Sequence, residues 1–222
     1  MPHNLNTRYG RLLAYLDMHL VDHGMIRAVY NNFYGLGGGM YRLSQPSPAQ
    51  LAKYRRELGI RTVINLRGDN NFGTYALEAE ACARLGITLI DHRLYSRRLP
   101  LVEDVLSTCE LFARIEYPAL MHCKSGADRA GLGATLYRHV RMGEPIAQIC
   151  QLHWKYGHFQ FGNTGSLAYF FRRYMEDDAR KPIAFIDWVT TRYDIDEMTA
   201  DFERQKKSTI GTWFADKLLK RE

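Results

Sequence analysis

"LMHCKSGADRAGLG", Leu120 to Gly133, holds a cysteine directly behind a histidine, glycines close by, and an arginine six positions after the cysteine. The apolar "PALMH" that leads into it, Pro118 to His122, reads as a short strand, and a helix-like run follows. In α/β folds, ligands bind at the carboxyl ends of strands, which is where Cys123 stands. The loop from Lys124 to Arg129 would turn its backbone N–H groups inward and run into a helix N-terminus, which makes an anion cradle. The same field favours a thiolate at Cys123. Gly126 lets the backbone approach closely, and Arg129 can grip two oxygens of a phosphoryl group. These parts together describe in-line attack of a thiolate on a phosphomonoester.

Outward from this loop the chain alternates. In "SPAQLAKYRRELG", Ser47 can cap a helix, Pro48 suits its first position, and Gln50 completes a capping box. Leu51, Tyr54 and Leu58 supply the buried stripe and Gly59 the stop. "IRTVINL" then reads as a strand, "TYALEAEACARLG" as a helix ending at Gly86, and "ITLIDHRL" as a second strand. A third helix over Leu101 to Ile115 leads into the strand that ends at Cys123. The expected fold class is α/β, with a mainly parallel central sheet flanked by helices and extra helices at both ends. Upstream, "GLGGG" lacks the Lys-Ser/Thr ending of a nucleotide P-loop and reads as a turn before the strand "MYRLS". Residues 8–29 read as one helix on Leu12, Leu16 and Leu20, packed on the domain, with an interfacial membrane helix as the alternative. Downstream, helices are expected after Arg129, over about Pro145 to Tyr156, over about Ser166 to Met175, and once or twice between Pro182 and Glu222.

The 222 residues are 46% hydrophobic and 24% charged, as in an ordinary globular chain. A net charge of +6 favours anionic partners: phosphate esters, nucleic acid or an acidic membrane face. Cys82, Cys109, Cys123 and Cys150 form no C-x-x-C pair, which argues against a disulfide framework or zinc site and fits a reducing compartment. The N-terminus lacks a signal-peptide core, and no apolar run approaches the roughly 18 residues of a spanning helix. A cytoplasmic protein is expected, without a transmembrane segment, nucleic-acid partner, metal or cofactor. Contact with a membrane surface stays open.

"HCKSGADR" resembles the Cys-x5-Arg signature of the protein tyrosine and dual-specificity phosphatase superfamily. "YRLSQPSPAQL" and "GIRTVINLRG" look like its compact bacterial branch. The resemblance covers residues 38 to about 175. It implies an N-terminal helical segment over 1–37, a phosphatase domain over 38–178, and a helical extension over 179–222 packed on that domain. It also implies that Cys123 is the nucleophile, Arg129 the phosphate clamp, and His122 a loop-ordering residue that favours the thiolate. Lys124, Ser125, Gly126, Ala127 and Asp128 would donate backbone N–H groups to phosphate. The implied substrates are phosphotyrosine or phosphoserine/threonine proteins, or a phosphorylated lipid, inositol or sugar.

Two positions depart from the family pattern. A Ser or Thr usually follows the loop arginine and assists the leaving thiolate, whereas Ala130 stands here. The usual acid is an Asp on a loop after the strand preceding the third helix. Counting back from Cys123 nominates Asp91, but strand register places Asp91 inside the strand and the acid's usual place near Ser96. Glu103 and Asp104 lie further along. Asp128 is the other candidate, since some relatives carry an Asp just before the loop arginine that is proposed to protonate the leaving oxygen. Its alternative role is a helix N-terminal charge that shapes the loop.

Arg97 and Arg98 stand where a substrate-facing loop is expected and could read a second phosphate. Arg42 and Arg67, at or near predicted strand ends, read as structural. Gln160 and Asn163 are candidates for placing hydrolytic water, and the spacing of His153 and His158 matches no zinc site. The alternative to an enzyme is a phospho-ligand-binding pseudophosphatase with little turnover, which Ala130 and the displaced acid favour. A redox-type Cys-x5-Arg enzyme would need partner cysteines near the loop.

Overall fold

The structure is a computed structural model that describes residues 4–22, 30–160 and 162–219, with side chains as far as residue 207. Five strands form one sheet in the order β1-β2-β5-β3-β4. They are β1 (Tyr34–Gly37), β2 (Met40–Ser44), β3 (Thr62–Asn65), β4 (Thr88–Asp91) and β5 (Ala119–Cys123). Only the β1–β2 hairpin is antiparallel, and every other pairing is parallel.

Residues alternate between faces along each strand, and this alternation divides the core. Leu43, Val63 and Leu120 pack with Leu51, Tyr54, Ala81 and Cys82 of α2 (Pro48–Leu58) and α3 (Gly73–Leu85). Met40, Ile64, Ala119 and Met121 face the opposite layer. That layer contains α4 (Val102–Arg114), α5 (Asp128–Met142), α6 (Ile146–Ile149), α7 (Gly165–Arg180), α8 (Phe185–Thr191) and α9 (Ile195–Leu219). Phe170, Phe171, Tyr174, Phe185 and Trp188 form the aromatic centre of that layer.

The α2 start is as its sequence demands: Ser47 accepts from the Gln50 N–H while Gln50 returns a bond to the Ser47 N–H, and Gly59 closes the helix. Three segments differ from expectation. Tyr34–Gly37 pairs as β1, so only Gly38 and Gly39 of the glycine run make the turn. The helix expected over Pro145 to Tyr156 is a single short α6 followed by a 3₁₀ turn at Trp154–Tyr156. The N-terminal helix is α1 (Arg8–Leu16) continued by a π turn at Asp17–Val21, and the 23–29 part of that expectation lies outside the described residues. Helix α1 and its π turn rest on α3 through Ala14 and Met18, which pack with Leu77, and no side chain on Gly73 would fit under the Ala14 backbone. Among the described residues, no helix is long and apolar enough to cross a membrane.

Candidate active site

The central strand β5 delivers two consecutive side chains to opposite sides of the sheet. His122 faces the α3 layer, where its Nε2 lies 2.8 Å from Glu78 Oε1, a close polar contact without hydrogen-bond alignment. Both groups are fully buried. Cys123 faces the other layer, where α5 begins, and is itself buried.

Between them and α5, the loop presents four consecutive carbonyls to the 32–45 segment. Lys124 O accepts from the Gln45 N–H at 3.3 Å. Ser125 O accepts from Asn32 Nδ2 at 3.2 Å. Gly126 O and Ala127 O both accept from Arg42 Nη2. In a trans peptide the C=O of one residue and the N–H of the next point in opposite directions. Tying these carbonyls back therefore turns the N–H groups of Ser125, Gly126, Ala127 and Asp128 to the other side. Gly126 adopts φ +71°, and a Cβ there would lie 2.6 Å from the backbone of Leu43 and Ser44.

Arg42 was read as structural from the sequence, and the structure places it directly behind the loop. Its side chain is fully buried, its Nη1 also reaches Gln151, and its guanidinium lies 4.8 Å from the centre of the Tyr156 ring. Burial pulls its pKa down to about 10, with neighbouring side chains, among them Tyr156 and Tyr30, acting in the opposite direction. Sequence reasoning missed Asn32 entirely. It bridges Ser125 O and Tyr156 O from a left-handed backbone conformation at φ 50°, one that asparagine tolerates.

A buried polar chain backs the other side of the loop. Glu78 Oε2 accepts from Gln45 Nε2 at 2.8 Å, and Gln45 Oε1 accepts from Arg67. Arg67 forks onto Asp22 at 2.7 and 3.0 Å. Asp22, fully buried at the end of the π turn, also accepts from Thr74 and pairs with Lys124 Nζ at 3.2 Å. The Lys124 side chain is thus engaged by the N-terminal segment. Asp17 accepts from the Gly73 N–H, so that segment also caps α3.

The acid candidates separate clearly. Asp91 ends the edge strand β4, as register argued. Its two oxygens accept from Asn65 Nδ2 at 2.8 Å and Tyr75 OH at 2.6 Å. It sits level with His122 but two strands away, a lateral offset of about 9–10 Å. Glu103 and Asp104 lie in the first turn of α4, with Asp104 3.9 Å from Arg98. Asp128 is the first residue of α5, directly beside Arg129. Its Oδ1 lies 2.7 Å from Nδ1 of His158, a buried residue that the sequence did not single out for this role. His158 Nε2 has no hydrogen-bond partner among the described residues.

Arg129 lines a cavity of about 270 Å³ with Leu94, Tyr95, Ser96, Arg97 and Arg98. The loop after β4 therefore faces the site, as expected for Arg97 and Arg98. Gln160 is exposed, the Asn163 side-chain Oδ1 accepts from Lys206 Nζ on α9, and neither residue lines this cavity. Ala130 is fully buried behind the loop. Burial pushes the Cys82 and Cys109 thiols up to about 12 and about 11, and raises that of Cys150, which keeps all three protonated at neutral pH.

The fold recurs in solved structures. A Shewanella putrefaciens CN-32 protein described as a phosphatase superposes with a TM-score of 0.53 at 16% identity, over 67% of this chain and 91% of its own. The catalytic core of Siw14 superposes at 0.50 and 14%, over 70% and 96%. The chain has the cysteine-phosphatase fold. TpbA of P. aeruginosa is 22% identical over 77% of this chain and 90% of its own, with a TM-score of 0.47. No protein-family model and no curated protein matches the chain. Within the cysteine-phosphatase fold, the strand–loop–helix that carries Cys123 and Arg129 occupies the centre of the sheet.

Proposed function

We propose that the protein is a metal-independent phosphomonoester hydrolase that works through a cysteinyl-phosphate intermediate. The observation that carries this reading is the set of four consecutive loop carbonyls bonded to the 32–45 segment, which leaves the N–H groups of the next residues free to face a phosphate beside Cys123 and Arg129. The Cys123 thiolate attacks phosphorus, and the bond from phosphorus to the ester oxygen breaks. Arg129 and the N–H groups hold the non-bridging oxygens, where charge accumulates. The leaving oxygen takes a proton from Asp128. His158 holds Oδ1 of that carboxyl, which leaves Oδ2 for the transfer. Water then attacks the phosphoenzyme and gives its proton to the Asp128 carboxylate. The P–S bond breaks, the thiolate re-forms and inorganic phosphate departs. His122 and its Glu78 contact fix the start of the loop.

The substrate is a phosphotyrosine or phosphoserine protein, or an anionic phosphorylated lipid or sugar. The test is phosphate release from a panel of phosphopeptides, phosphoinositides, phosphosugars and phenyl phosphate with EDTA present, together with acid trapping of labelled phosphoenzyme. Release with a trapped intermediate that Cys123→Ser lacks is expected. Release from none of them, with phosphate still bound, would leave a phosphate-binding module.

A further inference from the structure

Three arginines, Arg97, Arg98 and Arg129, line one cavity, and no acidic residue lines it among the described residues. On the phosphatase reading, the scissile phosphate takes Arg129. That leaves Arg97 and Arg98 on the cavity, with Arg98 neutralised, among the described residues, only by the Asp104 carboxylate 3.9 Å away.

Arg98 is held in place. Its guanidinium lies 3.9 Å from the centre of the Tyr95 ring, with the Asp104 carboxylate 3.9 Å away at the rim. A guanidinium over a ring keeps its in-plane donors available for an anion. Arg97 stands next to it, exposed, on the same cavity. The Arg129 Nε is buried and has no partner among the described residues.

The apolar wall is small. Leu94 is buried, and Arg98 already covers a face of Tyr95, which leaves little bare apolar surface for an aromatic substrate ring. About 270 Å³ lies at the small end for ligand pockets, with room for a six-membered ring and its substituents rather than a folded segment of polypeptide.

We propose that the cavity binds a small ring carrying two phosphates, a bisphosphorylated sugar or polyol, either free or as a lipid headgroup. Arg129 holds the phosphate that is cleaved, and Arg97 and Arg98 hold the other. This rests on the phosphatase reading and names its substrate class.

The experiment compares kcat/KM for an inositol monophosphate and an inositol bisphosphate, each as the soluble compound and as the corresponding lipid in phosphatidylcholine vesicles. A doubly phosphorylated peptide and phenyl phosphate run alongside. A bisphosphate preference of about ten- to a hundredfold is expected in at least one presentation, the effect of one charge-assisted hydrogen bond. Raising ionic strength should shrink it, because both arginines are partly exposed. The double variant Arg97→Ala/Arg98→Ala should bring the ratio close to one, and Arg98→Glu should invert it. Phenyl phosphate turnover with equal rates on mono- and bisphosphates, or a preference shown only by the peptide, would overturn the proposal. Failure of every substrate, phenyl phosphate included, would instead remove the phosphatase reading.

Discussion

Asp128 and His158 lie thirty residues apart in the chain, yet their side chains meet at 2.7 Å beside the phosphate loop. If the pair acts as one acid, Asp128→Asn slows alkyl phosphates by about 10²- to 10⁴-fold and activated aryl phosphates much less. His158→Phe should show the same leaving-group dependence at smaller size. His158→Asn, which keeps a donor near the Nδ1 position, should recover part of the rate. Uniform slowing of all substrates in the histidine variants, with an unchanged pH–rate profile, would reduce His158 to a packing residue.

Cys123→Ser should abolish turnover while keeping phosphate affinity, because the N–H cradle does not depend on the thiol. Arg129→Lys should also fail, since a point charge cannot replace the bidentate fork. Steady-state kinetics and calorimetric phosphate titration check both, and near-wild-type kcat/KM in either variant would remove that residue from the chemistry.

Arg42→Met removes the side-chain donor to the buried carbonyls of Gly126 and Gln151, at about 1–3 kcal/mol each, while Ala127 O keeps the Gly131 N–H. A loop displaced by even an ångström should lower kcat/KM by about 10²-fold. Arg42→Lys should rescue little, because one ammonium group cannot span the same acceptors. Urea unfolding and kinetics on the same preparations separate the two effects. A folded Arg42→Met protein with full activity would show that the loop holds its shape unaided.

Gly126→Ala tests the close approach. A methyl group 2.6 Å from the Leu43 and Ser44 backbone, at a positive φ, forces the loop away from β2. Activity should collapse while thermal unfolding shifts only moderately. A fully active Gly126→Ala enzyme contradicts the tightness of this packing.

Asp22→Ala removes a buried carboxylate that serves Arg67, Thr74 and Lys124 together. Leaving Arg67 buried without it should cost about 3–5 kcal/mol in chemical denaturation. A change below about 0.5 kcal/mol would mean that water replaces the carboxylate.

Local signals made much of the fold legible. The Ser47–Gln50 box, the stops at Gly59 and Gly86 and the β-branched run before Asn65 all act within a few residues, and the structure places α2, α3 and β3 there. β1 was not legible because "YGLG" has no strand propensity of its own and becomes a strand only by pairing with Tyr41 and Arg42. The Pro145–Tyr156 stretch carries enough apolar residues for a helix, but those at Ile146, Ile149 and Leu152 are buried on an irregular path across α5 and α7. In the site, the Cys-x5-Arg loop could be read because its parts are contiguous. Asn32, Arg42, Glu78 and His158 reach it across 30 to 100 residues of sequence. A buried polar side chain gives no periodic signal that names its distant partner.

The strand that carries the cysteine is the last of the five to be made, yet it lies in the middle of the sheet. Until Ala119–Cys123 leaves the ribosome, β2 and β3 lack the strand through which they are joined in the finished sheet. At about 5–20 residues per second, the growing chain spends several seconds with the inner edges of β2 and β3 open to wrong partners. Insertion of β5 closes both edges and brings Cys123 to its position in one event. A half-built molecule therefore cannot carry a reactive loop, and the appearance of activity during synthesis would time the completion of the sheet.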